Sequence, residues 1–133
     1  MRPKVAFICV RNSCRSQIAE ALGKHLASDV YDSYSAGTDP AEEIDRDAVR
    51  LVKEIYGIDM RRDQHPKTVS DIPPADIVIA MGCNVACRSV PCGRREDWGI
   101  SDPAGVDDDM FIATIRLIEK KVIGLRSALA ATK

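Results

Sequence analysis

Val5-Ala6-Phe7-Ile8 followed by Cys9-Val10-Arg11-Asn12-Ser13-Cys14-Arg15-Ser16 is the stretch that decides the fold. A short unbroken apolar run reads as a strand buried on both faces. It meets a loop that starts on a cysteine and ends on an arginine. Ile18, Leu22 and Leu26 then recur at helical spacing, so the loop joins a strand to a helix. Backbone N–H groups that open a helix have no partners within it, and here they converge on one point. A tetrahedral oxyanion fits there. The backbone of Val10, Arg11, Asn12, Ser13, Cys14 and Arg15 would hold it, and the Arg15 side chain adds a planar fork of donors.

Cys9 lies at the bottom of this cup, where the helix dipole and Arg15 both favour thiolate over thiol, and so it is a candidate nucleophile. The bland alternative is a small buried hydrophobe that ends a strand. The joint placement of Cys9, Arg15 and Ser16 around one helix start favours the oxyanion site. Ser16 can donate to the thiolate, or serve only as a helix-start residue. Asn12 can hold a strained loop by side-chain hydrogen bonds, or simply form a turn. Cys14 reads as a packed thiol, with a protective disulfide to Cys9 as the other option.

Outward from this unit, Val30–Ser35 reads as a second strand and Ala36-Gly37-Thr38 as the turn leaving it. Asp45–Tyr56 carries Ala48, Leu51, Val52 and Ile55 on one helical face and stops at Gly57. Residues 59–74 read as a loop with one helical turn. Asp76-Ile77-Val78-Ile79-Ala80-Met81 is a second buried strand, and it delivers Gly82-Cys83 to the same sheet edge as Cys9. A short fourth strand is expected within Arg94–Ile100, around Trp98, followed by a turn at Asp102-Pro103-Ala104-Gly105. Asp107-Asp108-Asp109 open the last helix, whose core face is Phe111, Ile115, Ile118, Val122, Leu125 and Leu129. Strands alternating with helices give right-handed crossovers and a parallel sheet. The expectation is one α/β domain over residues 1–133, with a four-stranded parallel sheet flanked by helices in three layers. Its site lies beyond the carboxyl ends of the strands, where Cys9, Ser35 and Cys83 fall.

The chain has 133 residues and a formal net charge of −1, with no large basic block, which argues against a nucleic-acid partner. Arg61-Arg62 and Arg94-Arg95 read as solvated surface pairs. No apolar stretch approaches membrane-spanning length, and the first run is too short for a signal peptide, so a cytoplasmic location is expected; a monomer is the expected state. Five cysteines is an odd count without an export signal, which disfavours a disulfide scaffold. Cys83, Cys87 and Cys92 crowd together and ask for a metal or for redox chemistry. Structural zinc wants four ligands, and His65 or His25 would have to complete the set, so thiol redox is the better reading.

The Cys-(five residues)-Arg-Ser segment, with Asn12 and the run Cys14 to Glu20, resembles the phosphate-binding loop of low-molecular-weight protein tyrosine phosphatases. It equally resembles that of the thioredoxin-coupled arsenate reductases that share their fold. The resemblance covers nearly the whole chain and implies the phosphatase-like fold. It also implies that Asp102, in Asp-Pro, is the general acid. Trp98 to Gly105 looks like the reductase version, because Ala104 and Gly105 stand where phosphatases commonly place an aromatic wall.

Oxyanion binding does not separate phosphate from arsenate, but the chemistry does. Reducing As(V) to As(III) takes two electrons, hence a pair of thiols. Cys83 could attack Cys9 or its arsenic adduct, and Cys87 could then attack Cys83, leaving a disulfide for thioredoxin or glutaredoxin to reduce. The interval from Cys83 to Cys87 is shorter than the family's, which keeps Cys92 open as the resolving thiol. The expected function is arsenate reductase, with an external thiol reductant and no bound cofactor. The rivals are a phosphatase with redox-regulatory cysteines and a non-enzymatic thiol or oxyanion sensor. Some family members place a monovalent cation beside the loop, and Asn12, Glu20 and Ser35 match three of its positions. The fourth, an aspartate, is not evident: Asp63 is a loose candidate, and Lys67 could supply a fixed positive charge instead. His25 and His65 read as surface groups.

Overall fold

The computed structural model describes residues 2–82 and 92–131, with Cys92 described by its backbone only. β1 (Lys4–Cys9) lies inside a four-stranded parallel sheet of order β2-β1-β3-β4, with β2 at Asp32–Gly37, β3 at Ala75–Ala80 and β4 at Cys92–Asp97. Its continuous apolar character follows from having both faces covered, since successive side chains point to opposite sides. Val5, Phe7 and Cys9 face a large core built with α1 (Arg15–Leu26), α2 (Arg46–Tyr56) and α4 (Asp108–Ala131). Ala6 and Ile8 face a smaller cluster with Ala36, Val78 and Ala80. Among the described residues, that face is covered by Val69 and Ile72, at a 3-10 turn over Val69–Asp71.

The helices end as their chemistry asks. The Asp45 side chain accepts from the Ala48 N–H at the start of α2, and Gly57 closes that helix at φ 74°. The Asp107 carboxylate accepts from the Met110 N–H at 2.9 Å where α4 begins, and the six expected core residues of α4 are all buried.

Three boundaries differ from the sequence reading. β2 runs Asp32–Gly37 rather than Val30–Ser35, because pairing begins where the Asp32 N–H reaches the Pro3 carbonyl and continues to Gly37 beside Cys9. Val30 and Tyr31 are buried in the turn that precedes it. β4 ends at Asp97, before Trp98, whose ring turns into the core at 5.5 Å from Phe7. Residues 59–74 hold two turns of helix, α3 (Met60–Asp63), with Met60 fully buried, and the 3-10 turn. Arg61, Arg62, Arg94 and Arg95 are exposed.

Candidate active site

The loop after β1 is shaped by where its carbonyls go. Those of Cys9, Val10, Arg11 and Ser13 accept from the N–H groups of Thr38, Asp39, Ala41 and Asp45. That of Asn12 accepts from the Gln17 side chain, and that of Cys14 from Ile18 within α1. Every carbonyl of the loop is thus satisfied away from the cup. The N–H groups of Val10 to Arg15 have no acceptor among the described residues, which is the arrangement an oxyanion needs. The end of β2 packs directly onto this loop: a Cβ on Gly37 would stand 2.6 Å from the Val10 carbonyl oxygen and 3.0 Å from the Asn12 nitrogen.

Cys9 is buried, and its Sγ lies 2.9 Å from Ser16 Oγ. Ser16 also accepts from Asn12 Nδ2 at 2.8 Å, so its hydroxyl serves the cysteine rather than the helix start. Asn12 is buried at φ 50°, a left-handed conformation held by its side-chain hydrogen bonds. Burial above all, then the charges of Asp45 and Asp102, push the Cys14 thiol well above its ordinary value. Cys14 is accordingly a packed thiol, free of disulfide.

Arg15 Nη1 donates to the Met81 and Ile100 carbonyls, each at 2.7 Å, which joins the end of β3 to the segment leading to Asp102. Its Nη2 and Nε groups have no partner among the described residues and remain for the oxyanion. Gly82 makes this junction possible. It sits at φ 92°, and a Cβ there would meet the Ile100 carbonyl oxygen at 2.6 Å and Arg15 Nη1 at 3.1 Å. The Asp97 carboxylate holds the same corner, accepting from the N–H groups of Gly82 and Gly99.

A cavity of about 340 Å³ opens over the loop, lined by Cys9, Val10, Arg11, Ser13, Cys14, Arg15, Ala41, Asp102 and Ala104. Asp102 stands at its exposed rim, where its carboxylate accepts from the Ala104 N–H at 3.0 Å. The lining holds no aromatic side chain among the described residues.

Glu20 and Ser35, two of the expected cation positions, do meet: Ser35 Oγ donates to Glu20 Oε1 at 2.5 Å. The carboxylate is already compensated, by Lys24 at 2.5 Å and Lys67 at 3.4 Å. The Asn12 Oδ1 atom is likewise occupied, by the Lys67 N–H and by Gln17 Nε2. These groups do not fit a bound monovalent cation, because the Lys67 ammonium supplies the charge beside Glu20. Asp63 is exposed at the end of α3 and is not among the partners of Glu20. His65 is exposed, and His25 lies edge-on to Tyr56 at 6.3 Å.

Two residues of this region escape sequence reasoning. Gln17 and Gln64 are buried and linked by Gln64 Nε2 to Gln17 Oε1 at 2.8 Å, behind Asn12. Gln17 lies within the run Cys14 to Glu20 but was given no role there, and Gln64, a neutral amide far from the loop in sequence, belongs to no motif. Cys83 and Cys87 lie outside the described residues. The Cys92 backbone begins β4 opposite Ala75, at the other end of the sheet from Cys9.

Known proteins resemble the chain over nearly its whole length. The family model described as low molecular weight phosphotyrosine protein phosphatase matches residues 4–133. An arsenate reductase of Halalkalibacterium halodurans is 36% identical over 126 residues, covering 89% of this chain and 88% of that protein. The structure of an arsenate reductase in the phosphate-binding state superposes with a TM-score of 0.83 at 30% identity, over 97% of this chain and 99% of the other. The thioredoxin-dependent arsenate reductase of Corynebacterium glutamicum gives 0.78 at 31% identity, over 99% of this chain and 64% of its own.

Proposed function

The chain belongs to the low molecular weight phosphotyrosine protein phosphatase family, and on that premise we propose that it is an arsenate reductase regenerated by thioredoxin. Arsenate enters the cavity and is held by the N–H groups of Val10 to Arg15 and by the Arg15 fork. The Cys9 thiolate attacks arsenic, and a hydroxide leaves as water with a proton from Asp102. Cys83 then attacks Cys9 Sγ. The S–S bond forms as the S–As bond breaks, the electron pair stays on arsenic, and arsenite leaves. Cys87 attacks Cys83 in turn, which frees Cys9 as thiolate and leaves a disulfide for the external dithiol to reduce.

The observation that carries this reading is the cavity walled by Ala41 and Ala104, which among the described residues offers an aryl group no aromatic surface. The similarity to arsenate reductases of nearly equal length supports it. Cys87 is preferred to Cys92 because Cys92 starts β4 five strand residues below the sheet edge, roughly 16 Å away along the strand. The reaction belongs in the cytoplasm, where the thiol pool is reducing. Among the described residues no helix is long and apolar enough to cross a membrane.

Cys83→Ser tests the proposal. The variant is expected to lose multiple-turnover arsenate reduction with thioredoxin, thioredoxin reductase and NADPH, while weak phosphatase activity survives. Full turnover by Cys83→Ser sinks the reductase reading and returns the site to phosphoryl transfer, the other chemistry its cup can serve.

A further inference from the structure

The buried amides behind the loop form a chain with a single direction, and backbone groups set that direction at several points. The Gln17 carbonyl can only accept, so the Gln64 group 3.1 Å from it is the Nε2 amide. Nε2 of Gln64 then also faces Gln17 Oε1, at 2.8 Å. Gln17 must therefore present its own Nε2 to the carbonyl and Oδ1 of Asn12, each at 3.0 Å. The Lys67 N–H, which can only donate, reaches Asn12 Oδ1 at 3.0 Å and independently fixes that amide. Asn12 Nδ2 is thus left to donate to Ser16 Oγ at 2.8 Å. The remaining polar neighbour of Ser16 Oγ is Cys9 Sγ, at 2.9 Å, and with Cys9 as thiolate, an acceptor only, the serine proton goes there. Asn12, Ser16 and Gln17 have no exposed surface, and Gln64 is placed by α3, whose end it caps through its N–H to the Met60 carbonyl.

We infer that Gln64 and Gln17 are positioning residues for the Cys9 nucleophile, acting through Asn12 and Ser16. Each donor in the series points toward the sulfur. The last bond is donated into it, and such a bond stabilises the thiolate and not the thiol. In a dry interior, hydrogen bonds in a chain polarise one another, so the link farthest from the sulfur still strengthens the nearest. Gln64 is neither hydrogen-bonded to Cys9 nor part of the cavity lining; its hydrogen bonds lead to the sulfur by way of Gln17, Asn12 and Ser16. The inference rests on the reading of Cys9 as the nucleophile.

The test is a double-mutant cycle of wild type, Gln64→Met, Ser16→Ala and the double variant. Iodoacetamide alkylation of Cys9 is followed against pH by mass spectrometry of the tryptic peptide spanning residues 5–11, in which Cys9 is the sole cysteine. Circular dichroism checks the fold of each protein, and Gln17→Met replaces Gln64→Met if the latter does not fold. The charged groups around the sulfur are the same in all four proteins. Among the described residues they are Arg11, Arg15 and Asp102 on the cavity, Asp45 beside the loop, and Lys24, Glu20 and Lys67 behind it, with the Cys14 thiol the other titratable group.

In the Ser16 background, Gln64→Met is expected to raise the alkylation midpoint by roughly half a unit to one unit. Below the midpoint this slows Cys9 alkylation about three- to tenfold. In the Ser16→Ala background it is expected to move nothing, because the last link is gone. An unmoved midpoint in the Ser16 background, or an equal shift in both backgrounds, overturns the inference. A wild-type midpoint in the ordinary thiol range would instead overturn the nucleophile reading itself.

Discussion

Lys67→Met probes how the charge behind the loop is balanced. The Glu20 side chain is 4% exposed and that of Lys67 13% exposed, so their contact at 3.4 Å is poorly screened. At an effective dielectric constant near 20, a pair at that distance attracts by roughly 5 kcal/mol. Part of this is offset, because the ammonium no longer has to be desolvated and Lys24 stays on the other carboxylate oxygen. The net loss is about 2–3 kcal/mol. At the usual entropy of unfolding per residue, this lowers Tm by roughly 7–11 °C. The substitution leaves the Lys67 N–H on Asn12, so the loop keeps its own hydrogen bonds.

Methionine also removes the ammonium beside the Glu20 carboxylate and the Ser35 hydroxyl, two oxygen ligands suited to an alkali cation. The expected outcome by differential scanning calorimetry is a variant that regains part of its Tm in potassium chloride. Choline chloride at the same ionic strength should restore nothing, and wild type should respond alike to both salts. The reasoning is refuted if the variant melts within about 2 °C of wild type, or if choline restores it as well as potassium.

Gly82→Ala is expected to cost about 2–4 kcal/mol in urea denaturation, from the positive φ and the 2.6 Å approach to the Ile100 carbonyl. The same shift displaces Arg15 and the segment carrying Asp102, so kcat/KM for arsenate falls about tenfold or more; an unchanged urea midpoint refutes the account. Tyr56→Phe removes a hydroxyl that donates to Glu119 at 2.5 Å beside Arg116, at a cost of about 1 kcal/mol for this half-exposed cluster. The Tyr56 hydroxyl first, then Arg116, holds the Glu119 carboxyl below the usual range, while burial and Glu119 push Tyr56 up to about 12. The stabilisation is present above the ordinary carboxyl value and lost as pH falls through the Glu119 value. It is also lost as pH rises from the ordinary tyrosine value toward 12. Stability difference measured against pH should therefore be a plateau that falls at both ends, and a flat difference refutes it.

What was legible in the sequence is what one contiguous stretch dictates. β1, the loop and α1 follow from an unbroken apolar run, a loop from a cysteine to an arginine and a helical repeat, and Asp45, Gly57 and Asp107 mark helix ends by their own chemistry. Edges set by neighbours were not legible. The bounds of β2 depend on Pro3 and Cys9, and β4 is the charged run Gly-Arg-Arg-Glu-Asp after Cys92, a strand through its pairing with β3 alone. An edge strand of this composition carries no apolar alternation, and its charges discourage further pairing. At the site, Cys9 and Arg15 could be named from residue type and spacing, and Asp102 only through the resemblance that its Asp-Pro carries. The second use of Arg15, as a clamp on Met81 and Ile100, could not, and neither could Gln17 and Gln64.

The loop itself is built by a segment with no chemistry of its own. Thr38, Asp39, Ala41 and Asp45 contribute backbone N–H groups, and in taking the carbonyls of Cys9, Val10, Arg11 and Ser13 they turn the loop's amides toward the cup. A donor set fixed in advance recognises any tetrahedral oxyanion of the right size, so it cannot by itself choose between arsenate and a phosphate ester. The choice falls to two other features. Among the described residues, the rim of Ala41 and Ala104 offers an aryl ester no aromatic surface. In the proposed reaction the thiols that follow Gly82 in the sequence would convert a bound thiol–arsenic adduct into arsenite and a disulfide, a step that a phosphorus adduct, with no accessible two-electron reduction, does not share. Binding is thus general and the chemistry selective, and that is why the loop that decides the fold does not alone decide the reaction.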